Sequence, residues 1–279
     1  MLFKKLTMRE VNPRLPETEN EATLQVCLRE NYENLGDGVD MRHPVVITLP
    51  GGGYAYTSPR EADPVALQFL AAGFHSLTLY YSCAPDRYPA ALLQVAATIL
   101  WVRQNAEELH ADPNRIFVLG FSAGGHLAAS AGILWKEPIL AETLGVDSRL
   151  LRPDGMILGY PVIMYNSLGH KGSFYNLLGK DLTDEEYEKF SLEKRVDDDT
   201  SKAFLWHTWA DGSVPVENTL ELASALRRHN IPFELHVYPT GGHGLSVVNE
   251  QSSRPDQPAL RDPHIATWMP LCIEWLKQQ

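Results

Sequence analysis

Positive charge is what this chain has least of. Lys and Arg total 24 against 35 Asp and Glu, a formal net charge of −11 over 279 residues. A nucleic acid or an anionic membrane surface would need a basic stripe to neutralise its phosphates, so neither partner is expected. Cysteine is scarce too. Cys27, Cys83 and Cys272 are odd in number and far apart, which excludes a disulfide framework and reads as small core residues in a reducing compartment. No apolar run of signal-peptide length follows the lysines near Met1. The chain also lacks the phosphate-binding patterns G-x-x-x-x-G-K and G-x-G-x-x-G, and no two of its ten histidines have H-E-x-x-H spacing. The expectation is a soluble, cytoplasmic protein without metal or organic cofactor. At 44% hydrophobic and 21% charged residues, the composition excludes collagen, coiled coil and disorder.

What is present is an alternation of strand and helix patterns. Ala22, Leu24, Val26 and Leu28 alternate within Glu21 to Glu30, the period of an antiparallel strand with one buried face. Val45 to Leu49 is a short β-branched run, as in strands buried on both faces. Similar strands are expected at Ser76–Tyr81, Ile116–Gly120, Gly155–Gly159, Ala203–Trp209 and Phe233–Tyr238. Helices are expected at Glu61–Ala72, Pro89–Leu109, Ala123–Leu134 and Val216–His229, with Leu92, Val95, Ile99 and Val102 forming one apolar stripe. A last helix should begin at an Asp262 cap with Pro263 behind it and run toward Lys277, kinked at Pro270. Two stretches carry no Asp, Glu, Lys or Arg, Val65–Pro85 and Ile116–Trp135. Glycine, histidine and serine interrupt both, so each reads as a buried helix and strand joined by a turn rather than a membrane span.

This order implies an α/β fold with a mostly parallel central sheet and helices on both faces, in a single domain over residues 1–279. Residues 161–202 break the rhythm and are too long for an ordinary connection. Thr183-Asp-Glu-Glu186 matches a capping box there, and the insert reads as a small cap over the carboxyl edge of the sheet. Asp197-Asp-Asp199 reads as a solvated loop, because no oxygen-ligand spacing accompanies it.

Gly120-Phe-Ser122-Ala-Gly124 matches G-x-S-x-G, a pattern that chance produces in roughly one such chain in ten. Its setting adds weight: a buried strand precedes it and a small-residue helix follows, so Ser122 sits on a sharp strand–turn–helix bend. A serine needs a base beside it. His243, in Thr240-Gly-Gly-His-Gly244, lies in a glycine loop just past a late strand and is the candidate. His126 lies behind the serine and reads as a packing residue, His207 lies within a strand, and the other histidines, His170 among them, have no partner pattern. Asp211 follows another strand at the same edge and is the candidate orienting acid, with Asp181 and Asp184 as rivals. Pro50-Gly-Gly-Gly-Tyr54 places bare backbone after the strand ending at Leu49. With Ala123, its N–H groups would form an oxyanion hole.

On these residues the chain resembles the α/β-hydrolase superfamily, whose triads run in the order Ser, Asp, His, and within it the hormone-sensitive-lipase-like and acetyl-xylan-esterase-like carboxylesterases. The likeness runs from Val45 to the C-terminus. Tyr81-Ser-Cys-Ala-Pro85 with Tyr88-Pro89 is similar to the family's Y-R-x-A-P…P segment, and Asp112-Pro-Asn-Arg115, Ser122–Ala128 and Asp211-x-x-Val-Pro215 also match. The glycine run resembles H-G-G-G, whose second and third glycines supply the N–H groups, here Gly52 and Gly53. The family's histidine is Pro50 in this chain and its arginine is Ser82, so the loop needs other support. The resemblance implies a serine carboxylesterase for short acyl esters that acts through Ser122, Asp211 and His243, with acetylated sugars as the leading substrate class. It implies a small-molecule partner and leaves a homo-oligomer open. Tyr54, Tyr165 and Trp209, with Tyr56, Phe174 and Tyr175, are the candidate sugar-stacking aromatics. Two alternatives stand beside it. One is a small serine peptidase or amidase, because the Asp211 segment also resembles prolyl-oligopeptidase-type enzymes. The other is a ligand-binding protein on an inactive hydrolase scaffold.

Overall fold

The computed structural model describes residues 1–30, 41–253 and 261–279. Within them, eight strands form one sheet: β1 (Leu2–Thr7), β2 (Thr23–Leu28), β3 (His43–Leu49), β4 (His75–Tyr80), β5 (Ala111–Phe121), β6 (Gly155–Gly159), β7 (Ala203–Thr208) and β8 (Phe233–Tyr238). The spatial order is β1-β2-β4-β3-β5-β6-β7-β8. β2 pairs antiparallel with β1 and β4, and every pairing from β4 through β3 to β8 is parallel. β1 is the strand that periodicity missed. Its residues are mostly exposed at the sheet edge, so no buried face writes a pattern into Leu2–Thr7.

The parallel strands deliver their carboxyl ends to one edge, and helices cover both faces. On one face α3 (Ala90–Gln104), α4 (Ala123–Ile133) and α8 (Glu217–Arg228) pack on the side chains of Val45, Ile47, Val118, Leu158 and Leu205. On the other, α2 (Asp63–Ala71) and α9 (Trp268–Lys277) cover Val46, Phe117, Leu119, Ile157 and Phe204. Trp206 and Trp268 stack there at 4.8 Å, both fully buried. The uncharged stretches resolve into α2 with β4 and β5 with α4. No helix among the described residues is long and apolar enough to cross a membrane.

Three expectations need correction. α3 is buried on nearly every side, Ala91 and Ala96 as well as the expected stripe, because α1 (Met8–Val11), α4 and α5 (Pro138–Leu144) close around it. It ends at Gln104 rather than Leu109. At the C-terminus, Asp262 accepts the His264 and Ile265 N–H groups, but the capped turn is 3-10, and α9 starts only at Trp268. Pro270 therefore sits in the first turn of α9, where its missing N–H leaves no intrahelical bond unmade. The connection after β6 carries two short helices, α6 (Lys171–Leu178) and α7 (Asp184–Glu188), the latter started by the expected Thr183–Glu186 capping box. They close over a small cluster of their own: Val162, Tyr165, Phe174, Tyr187 and Val214.

Two buried imidazoles are built into the fold in neutral form. His75 accepts the Arg29 N–H at Nδ1 and donates from Nε2 to the Leu109 carbonyl. His126 accepts the Tyr54 hydroxyl at Nδ1 and faces the Phe190 carbonyl through Nε2. Burial pushes both down from 6.5 to about 4. The unfolded chain therefore binds more protons than the folded one between those values, and stability present above pH 6.5 drains as pH falls toward 4. The expected loss is about 1 kcal/mol per histidine for each pH unit. Urea midpoints between pH 7.5 and 5 check it: they should fall as pH drops below 6.5, and a flat profile would mean that the two rings take up protons in the folded protein as readily as in the unfolded chain.

Candidate active site

The turn that carries Ser122 is forced by backbone crowding. Ser122 has φ 54° and ψ −120°, a conformation that side-chain-bearing residues rarely adopt. It is held there because α4 packs too closely against β5 and the end of β3 for a Cβ on either flanking glycine. One on Gly120 would lie 2.0 Å from the Gly124 carbonyl oxygen, and one on Gly124 would lie 2.1 Å from that of Leu49. The Ser122 N–H donates to Gly159 and its carbonyl accepts from Val162, so β6 clamps the bend. The hydroxyl is left standing at the N-terminus of α4.

Three of the residues singled out from sequence meet at this point. His243 Nε2 is 2.8 Å from Ser122 Oγ, and His243 Nδ1 is 2.6 Å from Asp211 Oδ2. Asp211 Oδ1 accepts the Ser213 and Val214 N–H groups, both at 2.9 Å. His207 is the support that sequence reading missed. It lies within β7 as expected, but its Nε2, which donates to the Val214 carbonyl, is also 3.4 Å from Asp211 Oδ2. Burial alone would push the Asp211 carboxyl up. The hydrogen bonds from His207 and His243, the His243 charge and the Val214 N–H outweigh it and hold the carboxyl well below the usual carboxylate range. An ionised acid fixes the tautomer and orientation of the imidazole that faces the serine. The rivals are elsewhere: Asp184 accepts the Tyr165 hydroxyl, and Asp181 is exposed.

The glycine run folds into a turn that uses its carbonyls and leaves the Gly52 and Gly53 N–H groups. Gly52 O accepts from Ala55 and Tyr56, Gly51 O accepts from Ser58, and no acceptor for the Gly52, Gly53 or Ala123 N–H is found among the described residues. With Pro50 in the histidine's place, three other contacts hold the loop. Tyr81 donates to the Pro50 carbonyl at 2.7 Å, Asn176 on α6 donates to the Gly53 carbonyl at 2.9 Å, and the Gly51 N–H donates to Glu61 Oε2 at 2.7 Å. At the second departure, Ser82 donates to Thr18 and Asn20, and no ion pair forms.

Glu61 is a second residue that sequence reading missed. It is buried, and besides Gly51 it accepts the Tyr160 hydroxyl at 2.7 Å. Tyr160 in turn accepts the Ser246 N–H and lays its ring edge-on to His243, 5.1 Å away. Arg60, next in chain, donates to the carbonyls of Gly244 and Ser252. One short segment therefore ties the glycine loop to the loop that carries the base. Burial pushes the Glu61 carboxyl up, against the bonds from Tyr160 and Gly51 and the nearby His243 charge. A carboxylate in the middle of a helix-like stretch carries no sequence signal of its own, because only folding brings it against its partners, Gly51 ten residues before it and Tyr160 99 residues after it.

A cavity of about 420 Å³ opens over Ser122 and His243, with Gly52, Gly53, Tyr56, Arg60, His170 and Asn176 among its walls. Tyr54, Tyr165 and Trp209 are not on it, a correction to the aromatic platform. Tyr54 turns into the core to bond His126, Tyr165 stacks on Tyr187 beneath α7, and Trp209 points to solvent at 71% exposure. Of the six aromatics, only Tyr56 lines the cavity.

With this geometry in place, the comparisons are decisive. A family model described as BD-FAE matches residues 35–226, well over half of the chain. The chain belongs to the BD-FAE family. It has the α/β-hydrolase fold, shared with an acetyl ester-xyloside bifunctional hydrolase from Caldicellulosiruptor lactoaceticus at 33% identity and a TM-score of 0.83, covering 99% of this chain and 96% of that one. A carboxylesterase from Lactobacillus plantarum superposes equally well, at 29% identity over 100% of this chain and 98% of that one. In sequence it is 35% identical over 221 residues to endo-1,4-beta-xylanase B of Butyrivibrio fibrisolvens, covering 76% of this chain and 34% of that protein. It is 29% identical over 210 residues to an acetylxylan esterase of Xylanibacter ruminicola, 72% and 40% respectively. The chain thus spans about a third to two-fifths of the length of these two curated relatives.

The loop geometry separates two neighbouring glycines. Gly52 has φ +137°, and a Cβ there would lie 2.0 Å from the Tyr56 carbonyl oxygen, whereas Gly53 has φ +65° with nothing nearer than 3.9 Å. Gly52→Ala should cost several kcal/mol and Gly53→Ala about 1 kcal/mol, read from denaturant midpoints. Equal losses would mean that the loop adopts another path.

Proposed function

We propose that the chain is a serine carboxylesterase for short acyl esters, with acetylated sugars as its substrate class. The observation that carries this is the continuous Ser122–His243–Asp211 hydrogen-bonded chain beside the Gly52 and Gly53 N–H groups, which have no acceptor among the described residues. His243 takes the Ser122 proton as Oγ attacks the ester carbonyl, and Asp211 stabilises the imidazolium that forms. The N–H groups of Gly52, Gly53 and Ala123 receive the developing oxyanion at the positive end of α4. His243 then protonates the leaving alcohol, and water repeats the cycle on the acyl-enzyme.

Relatives named as an acetylxylan esterase and as an acetyl ester-xyloside bifunctional hydrolase support the acyl and alcohol assignment. The polar walls of the cavity agree with it, since Arg60, His170, Asn176 and Ser213 offer no greasy channel for a long chain. The segment 161–202 acts as a cap, its α6 closing one side of the cavity.

The test is hydrolysis of p-nitrophenyl acetate together with fluorophosphonate labelling. Wild type should be labelled at Ser122, and Ser122→Ala, His243→Ala and Asp211→Asn should each lose roughly 10³-fold or more in kcat, with multiple variants losing little more. Near-full activity in Asp211→Asn would assign the acid elsewhere. Across p-nitrophenyl esters, kcat/KM should peak between acetate and butyrate and fall steeply by octanoate. A peak at decanoate would overturn the small acyl site.

A further inference from the structure

His170 has no part in the triad, yet the fold places it on the wall of the cavity above Ser122. It is the N-cap of α6, and its backbone and ring both take part in that turn. The Ser173 N–H is shared between the His170 carbonyl, at 3.0 Å, and the ring Nδ1, at 3.2 Å. An N–H can only donate, so Nδ1 is an acceptor, and the Ser173 hydroxyl, 2.9 Å from the same atom, donates to it as well. The ring proton is then on Nε2. Burial, with the neighbouring His243 charge, lowers the His170 pKa and keeps the ring neutral, although Asp211 pulls the other way. Among the described residues Nε2 has no protein partner.

The position of that nitrogen is set by two glycines. A Cβ on Gly172, in the first turn of α6, would lie 3.3 Å from His170 Cε1, and one on Gly53 would lie 4.0 Å from it. The Cε1 edge of the ring therefore lies between the first turn of α6 and the glycine loop, and the ring lines the same cavity as Gly53 and Ser122. Asn176, further along α6, spends its amide N–H on the Gly53 carbonyl, and no partner for its Oδ1 is found among the described residues. The same cavity wall carries the hydroxyls of Ser58 and Ser213, for which no partner is found among the described residues.

We propose that the His170 Nε2–H donates a hydrogen bond to a hydroxyl or ring oxygen on the alcohol side of the ester, making the start of α6 a subsite that selects polyol esters over esters of simple alcohols. The proposal rests on the esterase reading, whose substrate it narrows. A site built to hydrogen-bond a substrate oxygen discriminates strongly against an analogue that lacks it, because the donor is left unmatched. His170 is a binding residue in this scheme and moves no proton.

His170→Asn is the informative variant. Asparagine keeps an acceptor for the Ser173 N–H at the cap position and removes the Nε2–H from the cavity. The readout is the ratio of kcat/KM on mono-acetylated methyl xyloside to kcat/KM on phenyl acetate. It should fall about tenfold or more in the variant, mainly through KM on the xyloside. An unchanged ratio, or equal loss on both esters, overturns the subsite. A second measurement needs no turnover: calorimetric binding of the acetylated xyloside to Ser122→Ala, with and without His170→Asn. A tenfold weaker Kd supports the subsite even if wild type hydrolyses no ester, in which case the esterase reading alone fails. An unchanged Kd overturns the subsite whatever the activity.

Discussion

The arrangement around Ser122 depends on one buried carboxylate. Glu61 accepts the Gly51 N–H from one loop and the Tyr160 hydroxyl from another, and Tyr160 passes the constraint on to Ser246 and to the face of the His243 ring. Without the shared acceptor, the Gly51 N–H and the Tyr160 hydroxyl would be buried donors with nothing to bond, which costs roughly 1–3 kcal/mol each. The carboxylate therefore sets the spacing between the glycine loop and the base. In relatives with H-G-G-G a histidine stands where this chain has Pro50. Here Tyr81, Glu61 and Asn176 hold the loop by three separate elements.

The rest of the site is a consequence of parallel strands ending at one edge. β3, β5, β7 and β8 each release a loop there: the glycine run after β3, Ser122 after β5, Asp211 after β7 and His243 after β8. The connection after β6 adds α6, which contributes Asn176 to the glycine loop and His170 to the cavity wall. That connection is better regarded as part of the site than as a lid laid upon it, since its side chains bond the backbone of the glycine loop directly.

Much of this was legible along the chain, for identifiable reasons. β2 through β7 each bury at least one face, so their apolar residues announce them, and the elbow announces itself because the close approach of α4 to β5 and to the end of β3 excludes side chains at Gly120 and Gly124. Ser122, Asp211 and His243 follow from chain order once the strands are placed. What escaped was of two kinds. β1 has no buried face, and α5 and α6 are short, so neither periodicity nor capping singles them out. Glu61, His207 and His170 escaped because a side chain's partners, and not its neighbours in sequence, give it its role.

The aromatic residues draw the same line from the other side. Tyr54, Tyr165 and Trp209 stand close in sequence to Gly53, the insert and Asp211, and proximity along the chain suggested a common platform. The folded chain sends them into the core, under α7 and out to solvent, because a side chain's direction depends on the packing of the elements around it. Sequence alone determined the strand and helix order, the sharp turn at Ser122, the order of the three residues that meet there and the family resemblance, since each is written in local pattern or backbone sterics. The tertiary structure alone decided which carboxylate braces the loops, which histidine faces the cavity and which aromatics do not, since each of these is a contact between segments that only folding brings together.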